Sequence, residues 1–299
     1  MNENNLFKEP KLINRIDGSL PKENSIIGKI ESVFDFMKID SFHFFTKNLA
    51  DNDKNCVIPL IWKVLLLKKN NYKINIKKEL INFIGKKNLL ENMTFYEKYS
   101  LKLQYIVFYD DIDWGNTNQK LFVIDVIKKE NKIKLKIKLL TKIEFENYLY
   151  SIQNEDMIMN KPLIYSQTNL EKYLSDQCQR QLNPIKRAIF PGDVDCLICK
   201  NQKYNYLIEF KKHTIKGSIE EQSFKKYWYK DRKKYTGLAL LAKYLCLNYF
   251  INFIYSTNED KNKIKLEIID TNLNLIISKI IVFNDKEELK HIIFQLFNK

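Results

Sequence analysis

The stretch GDVDCLICKNQKYNYLIEFKKHT, Gly192 to Thr214, sets acids and a lysine inside two apolar runs. Ionised groups are costly where both faces of a sheet are covered, so Asp195, Glu209 and Lys211 need a reason to be there. The pattern predicts strands over 193–199 and 205–211, turned through KNQKYN. Alternation puts Glu209 and Lys211 on one face, with Ile208 and Phe210 on the other. The same rule groups Asp195 with Asp193, Leu197 and Cys199. Setting Asp195 opposite Glu209 centres the turn on Gln202, and two carboxylates and an ammonium then converge on one face.

Carboxylates held that close repel, and each stays protonated unless a cation sits between them. Mg²⁺ or Mn²⁺ suits the position, since a hard ion takes a couple of carboxylates and shares its remaining places with water and phosphate oxygens. The backbone carbonyl of Phe210 makes a reasonable further ligand. Lys211 can then orient a water, lower its pKa, or stabilise charge as phosphorus is attacked. The rival reading is a surface hairpin whose outward face carries solvated pairs. Apolar residues on both faces near Glu209 argue for burial instead.

The flanks extend the pattern. A helix is expected at about 169–182, where Thr168 and Glu171 have capping-box spacing, and a strand at 186–190. A long amphipathic helix carries Tyr235, Leu238, Leu241, Ala242 and Leu245, followed by strand 249–255. Strands 264–270 and 275–283 and a helix opened by NDKEE close the chain. Residues 169–255 thus read α-β-β-β-α-β. In that order Asp195, with Glu209-Phe210-Lys211 fourteen residues on, resembles the PD-(D/E)XK nuclease superfamily. Pro191 lies four residues before Asp195 and two before Asp193, so the family's PD is stretched and Asp193 stays a rival acid.

The resemblance implies an α/β (α+β) protein with a restriction-endonuclease-like αβββαβ core and a mixed central sheet. It implies a Mg²⁺- or Mn²⁺-dependent endonuclease hydrolysing phosphodiester bonds, with double-stranded DNA as partner and a homodimer as assembly. Asp195 and Glu209 would hold the metal, Lys211 would position water, and Glu171 on the first helix would stand near the ion; a capping box explains Glu171 equally. Restriction, phage defence and mobile-element roles all fit. Two alternatives keep the fold: a nucleic-acid-binding or assembly subunit without turnover, and a ligand-gated nuclease effector acting on DNA or RNA.

FKKYWYKDRKKYTG, 224–237, mixes bases with aromatics beside this site. Lys226, Lys230, Arg232 and Lys233 are candidate phosphate contacts, and Trp228 a stacking platform. Core aromatics and a solvated helix face explain the same pattern. Lys212 and His213 are further phosphate candidates or a solvated strand end, and Asp231 is within reach of the site without being counted in it.

Residues 1–25 read as a loosely ordered arm, 26–152 as a separate N-terminal α/β domain for recognition or regulation, and 163–299 as the nuclease domain. Helices are expected near 27–37, 57–69, 76–84 and 142–151, and strands at 101–109, 120–127 and 132–140. YDDIDWGNTNQ, 109–119, reads as a polar hairpin loop rather than a second metal site. The 299 residues carry a net charge of +14, split evenly at +7 before and after residue 150. Basic residues are 46 Lys and four Arg, the bias of an AT-rich genome, so charge alone does not assign a partner. Five cysteines with no signal core predict free thiols, and Cys196 and Cys199 point to opposite faces of a strand. No run of about 18 apolar residues occurs, so a cytoplasmic protein without membrane spans is expected. Three histidines in no metal or triad spacing and seven scattered glycines disfavour zinc hydrolysis and nucleotide loops.

Overall fold

Runs rich in Ile, Val, Phe and Tyr build the strands of this chain, and lysine-laced amphipathic runs build its helices. The computed structural model describes residues 7–8, 33–34, 38–49, 54–67, 75–109, 120–130, 132–152, 192–200, 203–213, 217–256 and 260–297. They divide into two units, residues 1–13 with 42–191 and residues 14–41 with 192–299. The protein is mixed α/β, with parallel and antiparallel strand pairs in both units.

The first unit contains β1 (Phe7–Lys8), residues 42–49 of β2 (Lys38–Leu49), β3 (Lys54–Leu67), β4 (Lys102–Tyr109), β5 (Lys120–Lys129) and β6 (Lys132–Thr141). Strand order is β2-β3-β4-β5-β6, with β1 against the far end of β3. Among the described strands of this unit only β3 and β4 run parallel, joined through α1 (Ile76–Ile84) and α2 (Lys86–Lys98). Gly85 makes the corner between those helices at φ 84°, a left-handed backbone that suits glycine. After β6, α3 (Lys142–Ile152) lays Phe145 and Tyr148 on Trp62 of β3.

Here two expectations fail. VIPLIWKVLLL is strand, not helix: β3 pairs with β2 and β4, and Leu60, Trp62 and Val64 on one face and Ile61 and Leu65 on the other are all buried. A strand covered on both sides loses its period-two signal and reads like a buried helix. Phe7, in the stretch expected to be a loose arm, is buried and paired with Leu67. Helix α2 and strand β2 went unpredicted.

In the second unit β7 (Gly192–Lys200), β8 (Lys203–His213), β9 (Tyr249–Ser256), β10 (Lys263–Asp270) and β11 (Leu275–Val282) lie in the order β11-β10-β9-β8-β7. Among the described strands of this unit only β8 and β9 are parallel, connected by α4 (Phe224–Tyr244). One sheet face packs Ile208, Phe210, Ile251 and Phe253 against Leu289, Ile293 and Phe297 of α5 (Lys286–Phe297). Val33 and Phe34, from far upstream, complete that core. The bounds of 163–299 expected for the second domain leave both of them out. The other face meets α4. Of the six-element order expected over 169–255, β7, β8, α4 and β9 are described; the helix at 169–182 with Glu171, the strand at 186–190 and the loop at 110–119 lie outside the described residues. None of the described helices is long and apolar enough to cross a membrane.

Candidate functional site

The β7–β8 hairpin pairs Cys196 with Ile208 and Leu197 with Leu207. One step further along the same register, Asp195 faces Glu209, as a turn centred on Gln202 requires. A shift at Ile198/Cys199 tightens the hairpin end to Lys200 opposite Lys203. Asp195 also reaches across the strands: its Oδ2 accepts the backbone N–H of Phe210 at 2.8 Å.

Glu209 stands on the face that α4 covers, and its side chain is only 1% exposed. Its Oε1 accepts from Lys211 Nζ at 3.0 Å and from Lys234 Nζ at 2.8 Å. Its Oε2 is buried and has no hydrogen-bond partner. The Lys234 ammonium also lies 3.1 Å from Asp193 and 3.9 Å from Asp195. Three acids from the hairpin therefore meet on one nitrogen from the helix. Asp193 and Asp195 both reach the same lysine.

The exchange runs in the other direction as well. Lys211 Nζ donates to Asp231 Oδ2 at 2.6 Å. Asp231 and Lys234 sit three residues apart on α4, so one turn presents both to the sheet. The helix breaks at Asp231, whose φ of −112° and ψ of 21° leave the helical range. Lys211 also rests 5.4 Å from the centre of the Tyr235 ring.

Burial, and after it the charge of Asp195, pushes the Glu209 carboxyl up to about 7, against the pull of Lys234 and Lys211. Burial works against the Lys211 ammonium, but Glu209 and Asp231 outweigh it and hold it above the usual lysine value. Burial likewise opposes Lys234, yet Asp193, Asp195 and Glu209 keep it firmly charged. Burial first, then Glu209 and Asp231, raises the Tyr235 phenol, so that side chain stays neutral. Among the described residues, the carboxyl groups of Asp193, Asp195, Glu209 and Asp231 thus gather around the ammonium groups of Lys211 and Lys234.

A polar row continues across the sheet. Glu209 is level with Asn252 on β9, and Asn252 with Glu267 on β10. Tyr235 Oη donates to Asn252 Oδ1 at 3.3 Å, and Asn252 Nδ2 to Glu267 Oε2 at 3.1 Å. Glu267 Oε2 also accepts the N–H of Phe224 at 2.6 Å, where α4 begins. The row therefore fixes the start of the helix that delivers Asp231 and Lys234.

The remaining candidates separate. Phe210 buries its ring in the opposite core, 5.5 Å from Phe253. His213 is a correction: its ring is buried with Nε2 3.0 Å from the Gly217 carbonyl, which removes it from a phosphate-contacting surface. Lys212, by alternation, points away from the Glu209 face. Lys226, Arg232 and Lys233 are exposed. Trp228 packs on Phe224, with Arg232 5.8 Å over its ring. The Lys230 side chain lies outside the described residues. Asp231, reachable but uncounted in the sequence, belongs to the site. Lys234 was missed; its only sequence signal is its place one turn beyond Asp231, which matters only once α4 is known to lie on the Glu209 face.

Among the described residues no three acidic, histidine or cysteine side chains form a ready metal cage. The donors of the hairpin nonetheless suit a hard ion: Asp195 and Glu209 are carboxylates, and Glu209 Oε2 is buried without a partner. Cys56, Cys196, Cys199 and Cys246 are free thiols. No protein-family model matches this chain, and no curated protein or solved structure is significantly similar to it.

Proposed function

We propose that the chain is a divalent-metal-dependent endonuclease that hydrolyses phosphodiester bonds in DNA, on a restriction-endonuclease-like core. The observation that carries this reading is Glu209, a buried carboxyl group with one unpartnered oxygen, set with three further acids around the ammonium groups of Lys211 and Lys234. A divalent ion would pair with that oxygen. Asp195 and Glu209 would hold it. Once bound, Mg²⁺ or Mn²⁺ would provide Lewis-acid stabilisation of the attacked phosphoryl group and an acidified water. Lys211, steadied by Asp231, would orient the attacking water and offset charge gathering on the phosphate oxygens. Tyr235 stays neutral, its ring centre 5.4 Å from the Lys211 ammonium. Exposed Lys226, Arg232 and Lys233 add sequence-independent attraction for a polyanion, which weakens as salt rises.

One observation favours a second reading. Lys234 already lies among the hairpin acids, so the same fold could serve as a binding subunit that needs no metal. A supercoiled-plasmid assay with and without Mg²⁺ separates the two. The nuclease reading expects nicking or linearisation that EDTA abolishes and that Glu209→Ala and Lys211→Ala each lower by about 10²-fold or more. Binding that ignores EDTA, with no cleavage under Mg²⁺ or Mn²⁺, would establish the second.

A further inference from the structure

We infer that Lys234 is a tethered stand-in for the divalent ion: its ammonium neutralises the acid cluster until the ion displaces it, and it then retires onto Asp193. This rests on the metal reading above.

Three facts lead there. First, Lys234 Nζ is the point on which Asp193, Asp195 and Glu209 converge, at 3.1, 3.9 and 2.8 Å. Any ion held by Asp195 and Glu209 would meet that ammonium, and like charges so close in a covered site cannot both stay. Secondly, one ammonium leaves the job unfinished. Lys211 is divided between Glu209 and Asp231, and Glu209 Oε2 remains buried without a partner. A doubly charged ion serves both carboxylates better than a single charge already shared among three. Thirdly, the lysine has somewhere to go. Asp193 is the outermost of its partners, with 44% of its side chain exposed against 11% for Asp195 and 1% for Glu209. Four methylenes allow Nζ to keep Asp193 while releasing the inner pair. The two aspartates then divide the work: Asp195 is the metal acid, and Asp193 is the berth of the displaced lysine.

The test is Mn²⁺ binding by the full chain, without nucleic acid, measured as free ion by electron paramagnetic resonance. Lys234→Met should bind Mn²⁺ roughly tenfold or more tighter than the wild type. Lys211→Met removes the same charge beside Glu209 without vacating the meeting point, so it should tighten binding far less. Equal gains in the two variants, or none in Lys234→Met, overturn the inference and leave the metal reading standing. No Mn²⁺ bound by any of the three proteins overturns the metal reading, and this inference with it. Should Lys234→Met fail to fold, reductive methylation of the wild type decides. Lys234 should be modified slowly in EDTA and faster with saturating Mn²⁺, and an unchanged rate despite bound Mn²⁺ overturns the displacement.

Discussion

Glu209 concentrates the energetic tension of this molecule in one side chain. Its carboxyl titrates near 7 in the folded chain against an ordinary 4.5, so the folded state holds the proton more tightly than the unfolded state does. The stability this group contributes is complete below pH 4.5 and is lost as pH rises through 7. In EDTA, urea unfolding should therefore show a loss of about 3 kcal/mol between roughly pH 4.5 and 8. Glu209→Gln cannot ionise and should flatten that slope; an equally steep variant would assign the effect to another group. Asp195, Glu209 and Lys211 were readable because local geometry suffices, through a turn that sets the register and a side chain on every second position. Lys234 was not readable, because its role depends on which way a helix some twenty residues downstream rolls onto the sheet.

At the scale of elements, α4 is the part on which the site depends, and the polar row from Asn252 to Glu267 is its anchor. Glu267 is fully buried, accepts from Phe224 and Asn252, and lies 3.7 Å from Lys265. Glu267→Ala would leave the Phe224 N–H without its acceptor and take the carboxylate from beside Lys265, whose ammonium keeps only the Glu220 and Gln222 carbonyls, at a cost of about 3–5 kcal/mol in chemical denaturation. Because the start of α4 would loosen, Mn²⁺ affinity at the hairpin should change along with stability. A variant as stable as wild type would show that the row is dispensable. The sequence displayed the apolar stripe of α4 clearly through Tyr235, Leu238 and Leu241, but not this anchor. Asn252 and Glu267 sit in runs, YFINFIYS and KIKLEIID, where each looks like an ordinary solvent-facing break in a strand. Only the register that sets them level reveals a network. Strand β3 shows the opposite difficulty, since burial on both faces erased the alternation that marks a strand.

At the scale of the whole chain, the second unit is discontinuous. Phe34 is fully buried there, with ring centres 5.7 Å from Phe210, 5.8 Å from Phe253 and 5.9 Å from Phe297. Phe34→Ala should destabilise that unit by about 3–5 kcal/mol, read as faster hydrogen exchange at the β8 and β9 amides. A fragment beginning at residue 163 lacks this ring and should melt without a cooperative transition, whereas one that also carries residues 14–41 should regain it. Cooperative melting of the shorter fragment would show that the upstream segment is an accessory. Sequence reasoning placed the strands of this unit and its last helix within a residue or two, because each announces itself locally. The contribution of Phe34 has no local signature, because the apolar residues of IESVFDFMKI, 30–39, do not say which distant sheet they will join.

The hydrogen bond from the Phe210 N–H to Asp195 carries one more consequence. It commits one carboxylate oxygen to holding two strands together, so Asp195 can offer an ion little more than its other oxygen, Oδ1. On the metal reading, a coordination sphere so sparsely furnished by protein would be filled from outside, by solvent or by a phosphate. The ion and the nucleic acid would then recruit each other, and by reciprocity whatever factor the polymer adds to ion affinity, the ion returns to polymer affinity.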